Sequence, residues 1–144
     1  MLVVKTILAP SAIEGLGLFA AQHIPKGTIV WRFVPGVDAL FGAEEVEKLP
    51  EITQDICKRY GYYDHNNNKY VLCGDDARFE NHSDDPNTAG VYPVGDPFGM
   101  DIATRDIQEG EEITCDYRSF DAEFAYKFTS SPKNYLAGED GQSR

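Results

Sequence analysis

The sequence predicts a single, mostly β domain with one helical insertion. Three observations predict it: short apolar or β-branched runs parted by Gly and Pro, one stretch of helical periodicity, and a length of 144 residues. A chain of that length buries roughly 68–70% of its unfolded surface, enough for a core without disulfides or metals. Strands are expected over 2–7, 16–21, 28–34, 70–73, 89–94, 100–104 and 112–117, where such runs lie between turn residues. The turns are Pro25-Lys-Gly27, Pro35-Gly36, Asp85-Pro86-Asn87, Gly95-Asp-Pro97 and Glu109-Gly110. The helical stretch is 43–60, where Leu49, Ile52, Ile56 and Tyr60 recur at the spacing of one core-facing helix side. Pro50 starts a second helical segment, where its missing N–H costs nothing, and Gly61 can end it. The polar run from Asp64 to Lys69 reads as a hairpin tip, and the Gly-rich, polar residues 129–144 as a mobile end.

Composition narrows the function. Hydrophobic residues make up 42% of the chain and charged residues 26%, the balance of a soluble globular protein. Thirteen Lys and Arg stand against 24 Asp and Glu, a net charge of −11, which repels a phosphate backbone and argues against direct nucleic-acid binding. Residues 64–123 hold 15 acids and 4 bases and so carry the whole net charge. That stretch is either a solubilising face or a field that draws in a basic partner. No apolar run approaches the ~20 residues of a membrane span. Residues 1–8 resemble a leader, but the apolar run is short, Lys5 interrupts it and no cleavage site follows, so an intracellular protein is expected. Cys57, Cys73 and Cys115 are odd in number and far apart, which fits reduced thiols and neither a disulfide scaffold nor a cysteine-built zinc site.

Three segments carry chemistry. Gly15-Leu-Gly17-Leu-Phe-Ala20 is a turn whose glycines let the backbone approach a ligand, or simply a turn that leads into a strand. Arg78-Phe-Glu-Asn-His-Ser-Asp-Asp-Pro-Asn87 packs polar side chains into a short loop, either a self-capped turn or a binding loop. His82 has no second histidine close by to share a metal, since His65 lies 17 residues upstream. Gly110-Glu-Glu-Ile-Thr-Cys-Asp-Tyr117 alone reads as an edge strand with acidic flanks.

Taken in order, these segments resemble the SET-domain protein-lysine methyltransferases. That family carries a G-x-G turn, then R-F-x-N-H-S-x-x-P-N, then G-E-E-[LI]-T-x-[DN]-Y, here Gly15 to Gly17, Arg78 to Asn87 and Gly110 to Tyr117. The resemblance covers about residues 3–120. It implies the SET-domain fold, short curled β-sheets with a C-terminal pseudoknot, over 1–120, and a C-terminal lid and tail over 121–144 that completes the cofactor pocket. It implies S-adenosyl-L-methionine (SAM) bound by Leu16, Gly17, Leu18, Arg78, Asn81, His82, Tyr117 and Phe120, with His82 a binding group and Tyr117 the catalytic tyrosine. A substrate lysine would enter from the opposite face through a channel whose candidates are Phe33, Tyr62, Tyr63 and Cys115.

An apolar channel suits the chemistry. A lysine with a pKa of about 10.4 must react as the neutral amine, at a cost of roughly 4 kcal/mol at pH 7.4. Desolvation and a neighbouring sulfonium both lower that cost. An acid deep in the channel would oppose it, so the acids of 64–123 are expected on the rim, where they attract a basic, histone-like protein. Two departures stand out. Asp84 replaces a cysteine that many relatives use for zinc, and no cysteine follows Tyr117, so no metal is expected; Phe120, Phe124, Tyr126 and Phe128 are the candidates to cover the cofactor. Cys115 stands where relatives carry Phe or Tyr, and its smaller side chain leaves room for a methylated amine. Besides the methyltransferase, two other readings stand: a catalytically silent SET-like interaction module, and a small-molecule or metal-binding β-domain with accidental matches.

Overall fold

The computed structural model describes residues 1–129. Ten short strands follow the chain: β1 (Thr6–Pro10), β2 (Leu16–Ala20), β3 (Ile29–Arg32), β4 (Ala39–Gly42), β5 (Gly61–Asp64), β6 (Lys69–Leu72), β7 (Asn81–His82), β8 (Thr88–Val91), β9 (Met100–Ala103) and β10 (Glu112–Cys115). The helices are α1 (Ala43–Glu47), α2 (Glu51–Tyr60) and α3 (Phe124–Thr129). The strands form three small sheets, ordered β1-β2-β10-β7, β3-β9-β8 and β4-β6-β5. Mostly β, with one helical insertion between β4 and β5, is therefore the observed class. No helix of the described residues is long and apolar enough to cross a membrane.

Alternation places the core. Leu18 and Ala20 of β2 point inward with Ile113 of β10, and Ile24, Val30, Ala103 and Ile107 close the cluster. A second cluster of Val46, Cys57 and Tyr70 lies under the helices. The helix breaks before Pro50, which caps the start of α2 with extended backbone, as its position predicts.

Two expectations fail locally. The first strand begins at Thr6; Leu2 only bridges Trp31. The apolar side of α2 also faces outward, with Ile52 68% and Ile56 38% exposed, while Cys57 is buried. α2 seats through the side that carries Cys57, because Asp55 bonds the Tyr126 hydroxyl of α3 at 2.5 Å and Gln54 bonds the Leu49 carbonyl at 2.9 Å. Polar anchoring through Gln54 and Asp55 has overridden the apolar periodicity.

The topology brings distant motifs together. β10 lies between β2, antiparallel with Ile113 opposite Leu18, and β7, parallel with Thr114 opposite Asn81 and Cys115 opposite His82. Asn87 pins this junction: its amide donates to the Glu112 carbonyl at 2.8 Å and its side-chain oxygen accepts from the Thr114 N–H at 2.9 Å. Segments 35 residues apart thus become neighbours, and Tyr117 emerges beside His82. Residues 130–144 lie outside the described residues, and with them most of the expected mobile end and tail.

Candidate active site

The G-x-G turn is held from across the sheet. Asn81 is almost fully buried and donates its amide hydrogens to the carbonyls of Glu14 (3.0 Å) and Leu16 (3.1 Å) and to Glu112 Oε1 (2.9 Å). Gly15 turns the chain at φ +49°, a conformation that favours glycine, with open space where a side chain would stand. Gly17 serves a different need. A Cβ there would stand 2.3 Å from Glu112 Oε1, and Ser11 holds that carboxylate at 2.8 Å.

His82 and Tyr117 lock each other. The Tyr117 N–H donates to His82 Nδ1 at 3.1 Å, so the ring proton sits on Nε2, 3.3 Å from Asp84. The Tyr117 hydroxyl donates to the Glu80 carbonyl at 2.7 Å. Burial raises its pKa far above the usual phenol value, so it stays neutral and its oxygen lone pairs remain available.

Two cavities meet at this tyrosine and a third adjoins one of them. A cleft of about 420 Å³ is bordered by Glu14, Gly15, Leu16, Asn81, His82 and Phe128. A narrow chamber of about 60 Å³ lies behind it, walled by Trp31, Tyr62, Tyr92, Phe98 and Cys115. Tyr60, Arg78, Tyr117 and Lys127 border both. On the far side a mouth of about 330 Å³ shares Tyr62, Tyr92, Phe98 and Phe120 with the chamber. The mouth, chamber and cleft therefore adjoin in series, with Tyr117 between chamber and cleft.

Of the residues singled out in the sequence, Leu16, Arg78, Asn81, His82 and Tyr117 all border the cleft. Gly17 and Leu18 do not: Gly17 faces Glu112, and the Leu18 side chain is in the core. Phe120 borders the chamber and mouth, edge-on to Tyr62 at 5.1 Å, rather than the cleft. Tyr62 and Cys115 wall the chamber, whereas Tyr63 turns away, stacked on Tyr70 at 5.0 Å and bonded to Asn68. Phe33 stands behind Phe98 at 4.5 Å, and Phe98 is the one that borders the chamber. Among the candidate covers, Phe128 packs on His82 at 5.2 Å and borders the cleft; Phe124 borders the mouth, and Tyr126 packs on α2.

Several residues escaped sequence reasoning. Trp31, Tyr92 and Phe98 lie in runs that read only as strand or turn, and nothing local marks them as facing a cavity. Lys127 of α3 is clasped by Asp121 and the carbonyls of Lys58 and Gly61, with its ammonium 5.5 Å from the Tyr117 ring centre. The expectation that acids keep to the rim is corrected. Glu80 and Asp101 both border the inner chamber, and burial, with mutual repulsion acting on Glu80, raises both pKa values above the carboxylate range. A signal existed for one of them: Asp101 interrupts a run that otherwise reads as strand, between Met100 and Ile102, whereas Glu80 lies in a polar loop where an acid does not stand out.

A cleft and an aromatic-walled chamber thus meet at one tyrosine. Residues 15–118 match the family model described as the SET domain, and the chain belongs to that family. It is similar to human histone-lysine N-methyltransferase 2D, 36% identical over 122 residues that take in 81% of this chain and 2% of that protein. It is also similar to the H3 lysine-36-specific histone-lysine N-methyltransferase of Mycosarcoma maydis, 32% identical over 72% of this chain and 11% of that protein. The chain thus spans a small part of the curated relatives it matches. Among solved structures, a humanized mutant of the Chaetomium thermophilum Polycomb Repressive Complex 2 superposes with a TM-score of 0.61 at 23% identity, over 85% of this chain and 16% of that one, a likeness of fold.

Proposed function

We propose that this chain transfers a methyl group from SAM to the ε-amine of a lysine in a basic, histone-like protein. The observation that carries the reading is Tyr117 at the meeting of cleft and chamber. Named relatives are histone-lysine methyltransferases, which supports the reaction class.

The cleft fits the cofactor. Its volume lies within the range of small-molecule sites. Its lining offers flat rings (Phe79, Phe128) for a purine, and both charge signs (Glu14 against Lys127) for a zwitterionic tail. Leu16, Asn81 and His82 would hold it, with Phe128 over it, and when bound it supplies a methyl group on a sulfonium leaving group. The chain's own residues do the positioning. Aromatic walls strip water from the lysine stem and favour the neutral amine. The Tyr117 oxygen, its proton committed to the Glu80 carbonyl, accepts from the amine N–H and aims the nitrogen lone pair at the cleft.

Calorimetric titration with SAM, followed by a labelled-methyl screen over basic proteins, tests this reading. Wild type is expected to bind SAM, and Asn81→Ala to bind it weakly because the turn at Gly15 loses its clamp. Tyr117→Phe should keep SAM binding and lose about 100-fold in kcat. Unchanged turnover in that variant overturns the role of Tyr117. SAM binding without transfer to any basic protein would favour the interaction-module reading.

A further inference from the structure

The inner chamber holds chemistry that an aromatic lysine passage does not need. Trp31 and Asp101 are direct cross-strand partners on β3 and β9, which puts their side chains on one face of the sheet, and both border the chamber. Trp31 is only 4% exposed, and its buried indole N–H has no acceptor among the described residues. A buried donor without a partner is costly, so such groups ordinarily have water or a ligand beside them. Glu80 borders the same chamber, and its carboxylate accepts from the Thr88 hydroxyl at 2.9 Å. The Asp101 carboxylate accepts no hydrogen bond among the described residues. The chamber therefore calls for a guest that accepts from an indole N–H and donates to a carboxylate, which is the signature of water.

We propose that Asp101, paired with Glu80, takes up the proton that the substrate ammonium must lose, through a water that also accepts from Trp31. This rests on the methyl-transfer reading. In the step, an N–H bond of the ammonium breaks and its electron pair stays on nitrogen as the nucleophilic lone pair. The proton passes to the water, which gives another of its protons to a carboxylate oxygen. The ammonium and carboxylate become a neutral amine and a carboxylic acid, and the acid returns its proton to solvent after turnover.

The electrostatics support the assignment. Two carboxylates in one small chamber cannot both ionise cheaply, so the pair holds one proton and has room for a second. Burial raises the thiol of Cys115 and the phenols of Tyr62, Tyr92 and Tyr117. The Arg78 guanidinium is bonded to the Cys73 carbonyl, and the Lys127 ammonium to Asp121; the Cys73 thiol is itself pushed up to about 12 by burial. The Met1 ammonium lowers Asp101 in part, against the larger effect of burial.

Asp101→Asn and Glu80→Gln keep side-chain shape, and the latter keeps an oxygen for Thr88. Trp31 is the single tryptophan, so its indole N–H gives one resonance that needs no assignment. That resonance should move as the pH crosses neutrality in wild type, and hold still in Asp101→Asn. Without substrate or cofactor, a pH-independent indole signal in wild type overturns the relay. In turnover, both variants should lose about 100-fold in kcat near pH 7, and the loss should shrink to about threefold near pH 10, where solvent deprotonates the amine. SAM affinity should stay within about twofold of wild type. An equal loss at every pH, or none, also overturns the relay. If wild type itself transfers no methyl group, the reading of function fails while the indole titration stands; if the relay alone fails, wild-type turnover stands.

Discussion

Glu80 is the residue at which local chemistry and whole-protein stability meet. Burial and the nearby Asp101 raise its carboxyl pKa above the ordinary 4.5. The native state therefore keeps a proton that the unfolded chain has already released. Its contribution to stability is complete below the ordinary value and is lost as pH rises through the raised one. Wild type should lose thermal stability from about pH 5 to about pH 9, and Glu80→Gln should lose less. The variant's melting midpoint should exceed wild type by about 3 °C or more at the alkaline end, read by calorimetry across that range. A constant difference at all pH values would place the Glu80 proton elsewhere.

Among the elements, α3 matters beyond its six residues. Asp121, just before it, is buried and accepts from the Tyr63 and Glu123 N–H groups as well as from the Lys127 ammonium at 2.5 Å. Lys127 also reaches the carbonyls of Lys58 and Gly61, so one side chain ties α3 to the end of α2 and the start of β5. Lys127→Met should destabilise the protein by about 3 kcal/mol, because it leaves the Asp121 carboxylate buried without its counterion. Chemical denaturation would measure it, and Asp121→Asn in the same background should recover part of the loss. β6 ends under a tighter constraint. A Cβ on Gly74 would stand 1.7 Å from the Val37 carbonyl oxygen, a backbone atom that cannot swing aside. Gly74→Ala should therefore cost about 2–3 kcal/mol by the same measurement, through forced displacement of the loop before β4.

The whole molecule carries a net charge of −11, yet its site lies between aromatic walls. Charge of this size acts on encounter with a basic protein more than on the chemical step. Raising ionic strength from about 0.05 M to about 0.5 M should raise KM for a basic protein several-fold, with kcat and SAM affinity little changed, because screening acts over a Debye length of about 10 Å and less. A KM indifferent to salt would assign the acids to solubility alone.

Much of this protein could be read from the sequence by itself. Apolar alternation and Gly/Pro punctuation marked most of the strands, Pro50 marked the helix break, and three ordered motifs marked the family and singled out Leu16, Arg78, Asn81, His82 and Tyr117, which border one cleft. Those signals are local, arising from backbone preference, side-chain period or residue type at fixed spacing. Tertiary structure alone decided the rest. Which of Tyr62 and Tyr63 faces the chamber follows from a register in which Tyr63 stacks on Tyr70. The outward turn of Ile52 and Ile56 follows from polar anchors on other elements. Asp101 and Trp31 share a chamber because β3 and β9, some 70 residues apart, pair with a register shift between Ile29 and Trp31 that sets Trp31 opposite Asp101. Side-chain direction at such positions is set by long-range pairing and packing, and a one-residue slip would reverse it.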